Sequence, residues 1–267
     1  MYNRFNRFWE REQLSVVELV KSGTLDLRVA ALLWLLMERR ASAIVCAGPN
    51  FAGKTTMLNV MLNFLPPEVS QITLEGNFED FSFLDDSVPD NTYMVAEEFN
   101  TYMNYVWGRT ARKAFELLGQ GYHLGGTIHA TAPEEAIYIL HRYLGLPLPV
   151  ISQLDVIVTL RVMWGKTYRS DLIREIDSVC LIIPEEETMT LQQLAVHPEG
   201  AEKITLADEE TLQEAFKKKL NVEYPDIGHE ISARGELLAK LMLEDRTSHQ
   251  TVRAMVRDFY RSRRTDA

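Results

Sequence analysis

Cysteine is scarce in this chain, which contains only Cys46 and Cys180 among its 267 residues. Both cysteines lie in apolar stretches, AIVCAG and SVCLII. Two cysteines are too few for a disulfide framework or for a four-cysteine zinc site. We therefore expect a protein of a reducing compartment, the cytoplasm.

Long hydrophobic runs are also absent. The longest apolar run, Val29 to Met37, is flanked by Arg28 and Glu38, whereas a membrane-spanning helix needs about 20 apolar residues. This run therefore predicts a buried or partner-facing helix. Residues 1–13 lack the apolar core of a signal peptide. Their alternating aromatic and arginine side chains fit either a membrane-surface segment or a helix packed on a neighbour.

The sequence has no basic excess either. Its 28 Lys and Arg residues face 38 Asp and Glu residues, which gives a formal net charge of −10. Proteins that bind nucleic acid usually carry a basic surface, so we expect no direct contact with nucleic acid, although the ending RDFYRSRRTDA is locally basic. Hydrophobic residues make up 46% of the chain, enough for a globular core.

Three segments differ in pattern: residues 1–40 look helical, 41–185 alternate short apolar strands with helices, and 186–267 look helical again. The middle segment predicts an α/β fold with a parallel sheet flanked by helices. The predicted strands are residues 43–46, 71–74, 93–96, 125–128 and 156–160, and the predicted C-terminal helices lie near 208–220, 231–243 and 248–263. We expect these last helices to form a cluster separate from the middle segment.

The strongest motif is a glycine-rich loop between a strand and a helix. The run AIVCAGPNFAGKTT places four residues between Gly48 and Gly53-Lys54-Thr55, which matches the phosphate-loop pattern G-x-x-x-x-G-K-[ST]. Such a loop cradles phosphates with backbone amides, its lysine reaches the β- and γ-phosphates, and its Thr hydroxyl holds Mg²⁺. The predicted nucleotide-binding residues are Gly48, Pro49, Asn50, Phe51, Ala52, Gly53, Lys54, Thr55 and Thr56.

An acidic pair follows the predicted strand 93–96. A site for a magnesium nucleotide needs a carboxylate at the end of a neighbouring strand, where it orients the metal's water shell or polarises the attacking water. Glu97 is our first candidate for this role and Glu98 the second. The simpler interpretation, a solvated acidic pair, stays open for the motif taken alone.

The order of these motifs resembles one family, the ATPases of type II and type IV secretion and type IV pilus systems, in its tight-adherence (Tad) and archaeal branch. The opening LVKSGTLDLRVAALLWLLMERRASAIVCAGPNFAGKTT is similar to that branch. ITLEGNFED resembles the acidic box, with Glu75 and Glu79 on its glutamates and Gly76 replacing an aspartate. YMVAEEFN resembles the Walker B motif, with Glu97 on its glutamate.

Two further segments continue the resemblance. GQGYHLGGTIHATAPEEA is similar to the histidine box, with His129 on its second histidine. LDVIVTLRVMWGKTYRSDLIREI is similar to the strand and hairpin that close the motor domain, through Arg161, Gly165 and Arg169. The resemblance runs from about residue 14 to residue 263, and RGELLAKLMLEDRTSHQTVRAMVRDFYRSR resembles the C-terminal helices of the archaeal branch.

The resemblance implies a RecA-like P-loop domain that hexamerises and hydrolyses ATP with Mg²⁺. It also implies a cytoplasmic motor, peripheral at the inner face of the membrane, that works with an inner-membrane platform protein. Carried over, Lys54 and Thr55 bind phosphate and metal, and Glu97 activates water beside that metal. Glu75 and Glu79 line the site, and His129 senses phosphate. For His129 the alternative of a histidine that merely caps the strand 125–128 stays open.

Several departures from the family favour a second interpretation. Phe51 and Ala52 replace the usual Gly and Ser, and His123 stands one place late for the first histidine of the box. No Lys or Arg lies between Glu75 and Glu98, so Arg109 and Arg112 are the nearest candidates for an arginine finger, or else lie on a solvated helix face. About 40 residues precede the first strand, a short form without the family's large N-terminal domain. The alternative is a weakly hydrolysing accessory subunit beside a full-length motor.

The Walker B register yields a first prediction. We expect Glu97→Gln to retain nucleotide binding and lose hydrolysis, because the amide cannot accept a proton from water. Steady-state ATP turnover and an ADP titration of the same protein measure the two properties. A larger loss of turnover in Glu98→Gln would show that the activating carboxylate lies one residue later.

Overall fold

The computed structural model describes residues 13–164, 172–186, 188–198, 200–201 and 203–265, in which the chain forms an eight-stranded mixed sheet. The spatial order of the strands is β2-β3-β4-β1-β5-β6-β7-β8. The first five in this order are parallel, and the last three pair antiparallel. The strands are β1 Ala43–Cys46, β2 Ser70–Thr73, β3 Thr92–Ala96, β4 His123–Ile128, β5 Val156–Trp164, β6 Leu172–Pro184, β7 Met189–Val196 and β8 Thr205–Leu206.

The parallel part of the sheet confirms the predicted α/β fold. All five predicted strands are present with small shifts at their ends. Strand β4 lies between β1, which leads into the glycine-rich loop, and β3, which leads into the acidic pair. The glycine-rich loop and the acidic pair therefore both lie at the carboxyl edge of the sheet, separated by one intervening strand.

Helices cover both faces of the sheet, because alternate residues of each buried strand point to opposite sides. Ala43 and Val45 face one core cluster, whereas Ile44 and Cys46 face the other. Helices α1, α2, α3, α7, α8 and α9 pack in the first cluster, and α4, α5 and α6 in the second. The helices are α1 Val16–Lys21, α2 Leu27–Glu38, α3 Lys54–Leu62, α4 Gly108–Leu118, α5 Pro133–Tyr138, α6 Leu148–Ile151, α7 Glu209–Leu220, α8 Ile227–Leu243 and α9 His249–Thr265.

Helix α2 lies at the centre of the first cluster. Its side chains from Val29 to Met37 are completely buried, so the predicted buried helix is confirmed. The Asp26 side chain caps the helix by accepting a hydrogen bond of 2.8 Å from the Val29 amide, which satisfies a backbone donor of the first turn. A helix that is apolar on all sides must be covered on all sides, and α8 supplies much of that cover.

The expectation that the C-terminal helices form a separate cluster is wrong. Their buried side chains, such as Phe216 and Leu238, belong to the same core as α2, α3 and the sheet. The guanidinium of Arg234 in α8 is buried between the carboxylates of Glu38 and Glu230, over the ring of Trp34. Removing the C-terminal helices would therefore expose α2. The predicted segment boundaries after residues 40 and 185 stay a prediction.

Strands β7 and β8 were not predicted. In β7 the sequence MTLQQLAV alternates only partly between apolar and polar residues, so its own pattern does not indicate a strand. The strand is formed by its antiparallel pairing with β6.

Within the described ranges, no helix combines the length and apolarity needed to cross a bilayer.

The shared core leads to a prediction on truncation. We expect a chain that ends at residue 204 to aggregate and to lose nucleotide binding, because it exposes the apolar surface of α2. A chain that ends at Arg263 is the control, since it keeps every residue of the shared core. Size-exclusion chromatography and ADP titration measure the outcome. A monomeric, ADP-binding 1–204 fragment would contradict the dependence of the site on these helices.

Candidate nucleotide-binding site

The glycine-rich loop leaves the carboxyl end of β1 and enters α3 at Lys54. Two of its glycines are required by geometry. A Cβ atom on Gly48 would lie 2.7 Å from Cγ2 of Thr131, closer than real contacts allow. Gly53 has φ +91° and is the residue before the helix, a conformation that favours glycine. These two glycines let the loop backbone pass close to Thr131 and turn into the N-terminus of α3. A helix N-terminus reached by such a loop can bind phosphate.

Phe51 occupies the tip of this loop in a conformation uncommon for its type. Its φ is +60°, and its side chain is 88% exposed. A non-glycine residue in the left-handed region costs about 1 kcal/mol. The carbonyl of Phe51 accepts a hydrogen bond of 3.0 Å from Nε of Arg174 on β6, so the strained tip is tied to the antiparallel part of the sheet.

Lys54 is nearly buried, with 6% of its surface exposed, and its ammonium contacts His129. The Nζ atom lies 3.2 Å from Nε2 and 3.3 Å from Nδ1 of that ring. Nδ1 is also 3.1 Å from the carbonyl oxygen of Gly48. Because a lysine ammonium can only donate, it can bond only to a ring nitrogen that carries no proton.

Glu98 completes this group. One of its carboxylate oxygens, Oε1, is 3.4 Å from Nε2 of His129. The same oxygen accepts a hydrogen bond of 2.6 Å from the side-chain Nδ2 of Asn100. The backbone carbonyl of Glu97 accepts a bond of 2.7 Å from the Thr127 hydroxyl. The structure therefore brings Glu98, the second candidate, to the phosphate loop, while the catalytic role of either carboxylate stays a prediction.

Burial and neighbouring charges set the protonation of Lys54. Burial lowers the pKa of Lys54 below its ordinary value, and the charge of Glu98 acts in the opposite direction. Cys46, at the end of β1, is buried beneath the loop, and burial raises the pKa of its thiol to about 11. The thiol is therefore neutral near pH 7, and Glu98 is the main anionic partner that favours the charged form of Lys54.

The donors around the loop suit Mg²⁺, which prefers oxygen ligands and is usually held by few protein groups together with phosphates. Thr55, in the first turn of α3, offers a hydroxyl, and Glu97 and Glu98 offer carboxylates at the neighbouring strand end. Over the described ranges, no three His, Cys, Asp or Glu side chains gather into a site of their own. A cation here would depend on phosphate oxygens as well.

The acidic box lies farther from the loop. Glu75 and Glu79 follow β2, which is separated from β1 by β3 and β4. The Glu79 carboxylate accepts bonds of 2.9 Å and 2.8 Å from the Glu75 and Phe81 amides. This side chain organises its own turn, so the structure does not bring it to Lys54. The place of Glu75 and Glu79 in the site stays a prediction.

His123 and the candidate arginines lie outside the group around Lys54. His123 begins β4, at the opposite edge of the sheet from His129, and burial lowers its pKa. Arg112 in α4 donates to the Leu144 carbonyl at 3.1 Å, and Arg109 is exposed on the same helix.

The closing hairpin is described only in part. Arg161 forms an ion pair with Glu175 across β5 and β6, with Nε donating at 2.9 Å. Gly165 and Arg169, the other two positions that carry the resemblance in this hairpin, lie outside the described residues.

Sequence analysis did not identify Arg174 as a site residue. It lies 123 positions after Phe51 in the chain. The alternation in LIREI indicates only that Arg174 and Glu175 point to opposite faces. The antiparallel pairing of Val162 with Arg174 then carries this side chain past the end of β1.

An open cavity of about 360 Å³ adjoins the site behind His129. It lies between the ends of β3 and β4, the start of α4 and the π-helical turn Ile139–Tyr143. Its lining is largely aromatic and apolar, formed by Phe99, Asn100, Thr101, Trp107, Ile128, His129, Ile139 and Tyr143.

Comparisons with known proteins found similar chains, although no family model matches. The uncharacterized protein MJ1287 of Methanocaldococcus jannaschii is 24% identical over 248 residues, which cover 84% of this chain and 90% of that protein. The uncharacterized protein MJ0900 of the same organism is 39% identical over 66 residues, or 25% of this chain and 12% of that protein.

Two solved structures are similar in fold. The VirB11 ATPase of the Brucella suis type IV secretion system, in complex with sulphate, has a TM-score of 0.35 and 21% identity over 57% of this chain. The Legionella pneumophila ATPase DotB has a TM-score of 0.35 and 13% identity over 88% of this chain. The matches span 50% of the VirB11 chain and 66% of the DotB chain.

The influence of the Glu98 charge on Lys54 generates a prediction on pH. Bound phosphate favours the ammonium form of Lys54, so ADP affinity should be full below the pKa of Lys54 in the free protein and fall as pH rises through it. Because Glu98 raises that pKa, we expect Glu98→Gln to move the fall to lower pH.

Calorimetric titration of ADP between about pH 7.5 and 10.5 measures the shift, with Glu97→Gln as the matched control. An equal shift in both variants would show that Glu98 has no special effect on Lys54.

Proposed function

We propose that this protein binds ATP with Mg²⁺ and hydrolyses it to drive a motor of the secretion or type IV pilus type. The observation that carries the proposal is the convergence of Lys54, Glu98 and His129 on the phosphate loop, contributed by three strand ends of a RecA-like sheet. A glycine-rich turn of purely structural origin would not require a buried lysine at its helix start, since burying an ammonium is costly.

Each side chain has a distinct role in this proposal. The loop amides and Lys54 bind the β- and γ-phosphates. A carboxylate of the acidic pair accepts a proton from the attacking water. Glu97 is the first candidate, and Glu98, one oxygen of which is held by Asn100, is the second. His129, displaced from Lys54 by the terminal phosphate, can report whether that phosphate is present.

The metal site would be formed by Thr55 with Glu97 and the phosphate oxygens. A bound Mg²⁺ would neutralise charge on the phosphates. Thr55 lies in the first turn of α3, and Glu97 directly follows β3, which supports this assignment.

The order of motifs along the chain supports the assembly and the location in this proposal. We propose a homo-oligomer, a hexamer by resemblance, or a hetero-assembly with a full-length motor. Its partner would be an inner-membrane platform protein of a secretion or pilus system, contacted from the cytoplasmic side. Pilus assembly and protein export are both compatible with the motifs.

A second candidate function is that of a weakly hydrolysing accessory subunit. The observation that favours it is the contact of the Lys54 ammonium with His129 of its own chain, which is in turn 3.4 Å from Glu98. The absence of Lys and Arg from Glu75 to Glu98 also favours slow chemistry, because an arginine finger contributes about 10³–10⁵ to the rate. Such a subunit would bind nucleotide as a switch.

ATP turnover of wild type and Lys54→Ala, with molecular mass measured with and without Mg-ATP, tests the proposal. For a motor we expect turnover that Lys54→Ala abolishes and a ring-sized assembly. Tight binding by a monomer with negligible turnover would support the accessory subunit. Turnover or binding that is unchanged in Lys54→Ala would contradict both functions.

A further inference from the structure

Arg174 approaches the phosphate loop from the side opposite Glu98. Strand β1 has β4 on one side, which brings His129, and β5 followed by β6 on the other. Lys54, His129 and Glu98 gather on the β4 side, whereas the Arg174 guanidinium reaches the loop tip from β6. The loop is thus flanked by cationic groups on both sides.

Two hydrogen bonds orient the guanidinium. Nε donates to the Phe51 carbonyl at 3.0 Å, and Nη1 donates to the Leu172 carbonyl at 3.3 Å. The Cδ atom lies 3.4 Å from where Gly53 would carry a Cβ, so the aliphatic part of the side chain extends over this glycine. The Nη2 amino group takes part in neither bond and can donate to an anion held in the loop.

The direction of the bound nucleotide follows from the residues on the β4 side of the loop. In the proposed function the terminal phosphate lies next to Glu98 and His129. A phosphate chain that crosses the loop from there leads away from β4, toward the side from which Arg174 comes. A guanidinium there meets the phosphate nearest the nucleoside, which ATP and ADP share.

We propose that Arg174 is a phosphate-binding residue of this site, contacting the α-phosphate of ATP and ADP from the β6 side. This inference rests on the proposed nucleotide function and deepens it. Because the contact is the same before and after hydrolysis, Arg174 contributes to binding both nucleotides and not to the chemical step.

Affinity for ATP and ADP, together with kcat and KM, tests this role. We expect Arg174→Ala to weaken both nucleotides by a similar factor, about ten- to a hundredfold, the effect of losing a charge-assisted hydrogen bond. KM should rise accordingly, while kcat at saturating ATP stays within about twofold. Arg246→Ala, which removes a positive charge from an exposed pair with Glu244, is the matched control and should leave both affinities unchanged.

Two further variants separate phosphate binding from support of the loop. Arg174→Gln keeps a donor for the Phe51 carbonyl but has no charge, so it should behave like Arg174→Ala. Arg174→Lys keeps the charge and should retain most of the affinity. Thermal unfolding of each variant checks that the protein is folded.

Three results would overturn the inference. Wild-type affinity in Arg174→Gln would mean that the side chain only supports the loop. A loss confined to ATP, or a large fall in kcat, would place Arg174 at the terminal phosphate. If wild type bound neither nucleotide, the proposed function itself would fail, and the role of Arg174 would fail with it.

Discussion

The burial of α2 on all sides is the constraint on which the rest of the structure depends. A helix without a polar face cannot lie on the surface, so the sheet must cover one side and the C-terminal helices the other. The ion pair of Arg234 with Glu38 joins α8 to the end of α2 inside this apolar region, and Glu230 of α8 pairs with the same guanidinium. Charges buried in this way must remain paired, and α8 is thereby fixed relative to α2 and to the sheet behind it.

The phosphate loop benefits from this construction because its two ends are anchored in the same core. Strand β1 is buried along its whole length, and α3 packs against it and against α2. The loop can then hold an uncommon backbone conformation at Phe51 and a buried ammonium at Lys54, both of which cost free energy. A loosely supported loop would relax to relieve these costs and lose the arrangement that suits phosphate.

Much of the fold could be predicted from the sequence, because buried parallel strands and glycine-rich turns have strong local patterns. Strand β1 was predicted at its observed ends, and the helix after Gly53 follows from the loop motif. The hairpin of β7 with β6 could not be predicted because MTLQQLAV alternates only partly. The shared core of the C-terminal helices could not be predicted because it depends on contacts distant in sequence. An apolar face such as that of Leu237, Leu238 and Leu241 shows that a helix is covered, but not by what.

The site residues also fall into some that could be predicted from the sequence and some that could not. Lys54 and Gly48 follow from the motif, and His129 follows from the resemblance. Which of Glu97 and Glu98 reaches the loop depends on the turn that follows the strand, where Asn100 holds Glu98, and spacing along the chain does not encode this. Arg174 lies in the hairpin that carries the resemblance but not at one of its matched positions, so only the sheet topology shows that it lies beside the loop.

The contact between Gly48 and Thr131 has a mechanical consequence. With the Thr131 methyl occupying the space of a glycine side chain, the phosphate loop and the segment after β4 cannot move toward each other. Thr131 is in turn bonded through its amide and hydroxyl to Glu135 in α5. Movement of α5 toward the glycine-rich loop would therefore press Thr131 against the backbone at Gly48, whereas movement of α5 away would not pull the loop with it.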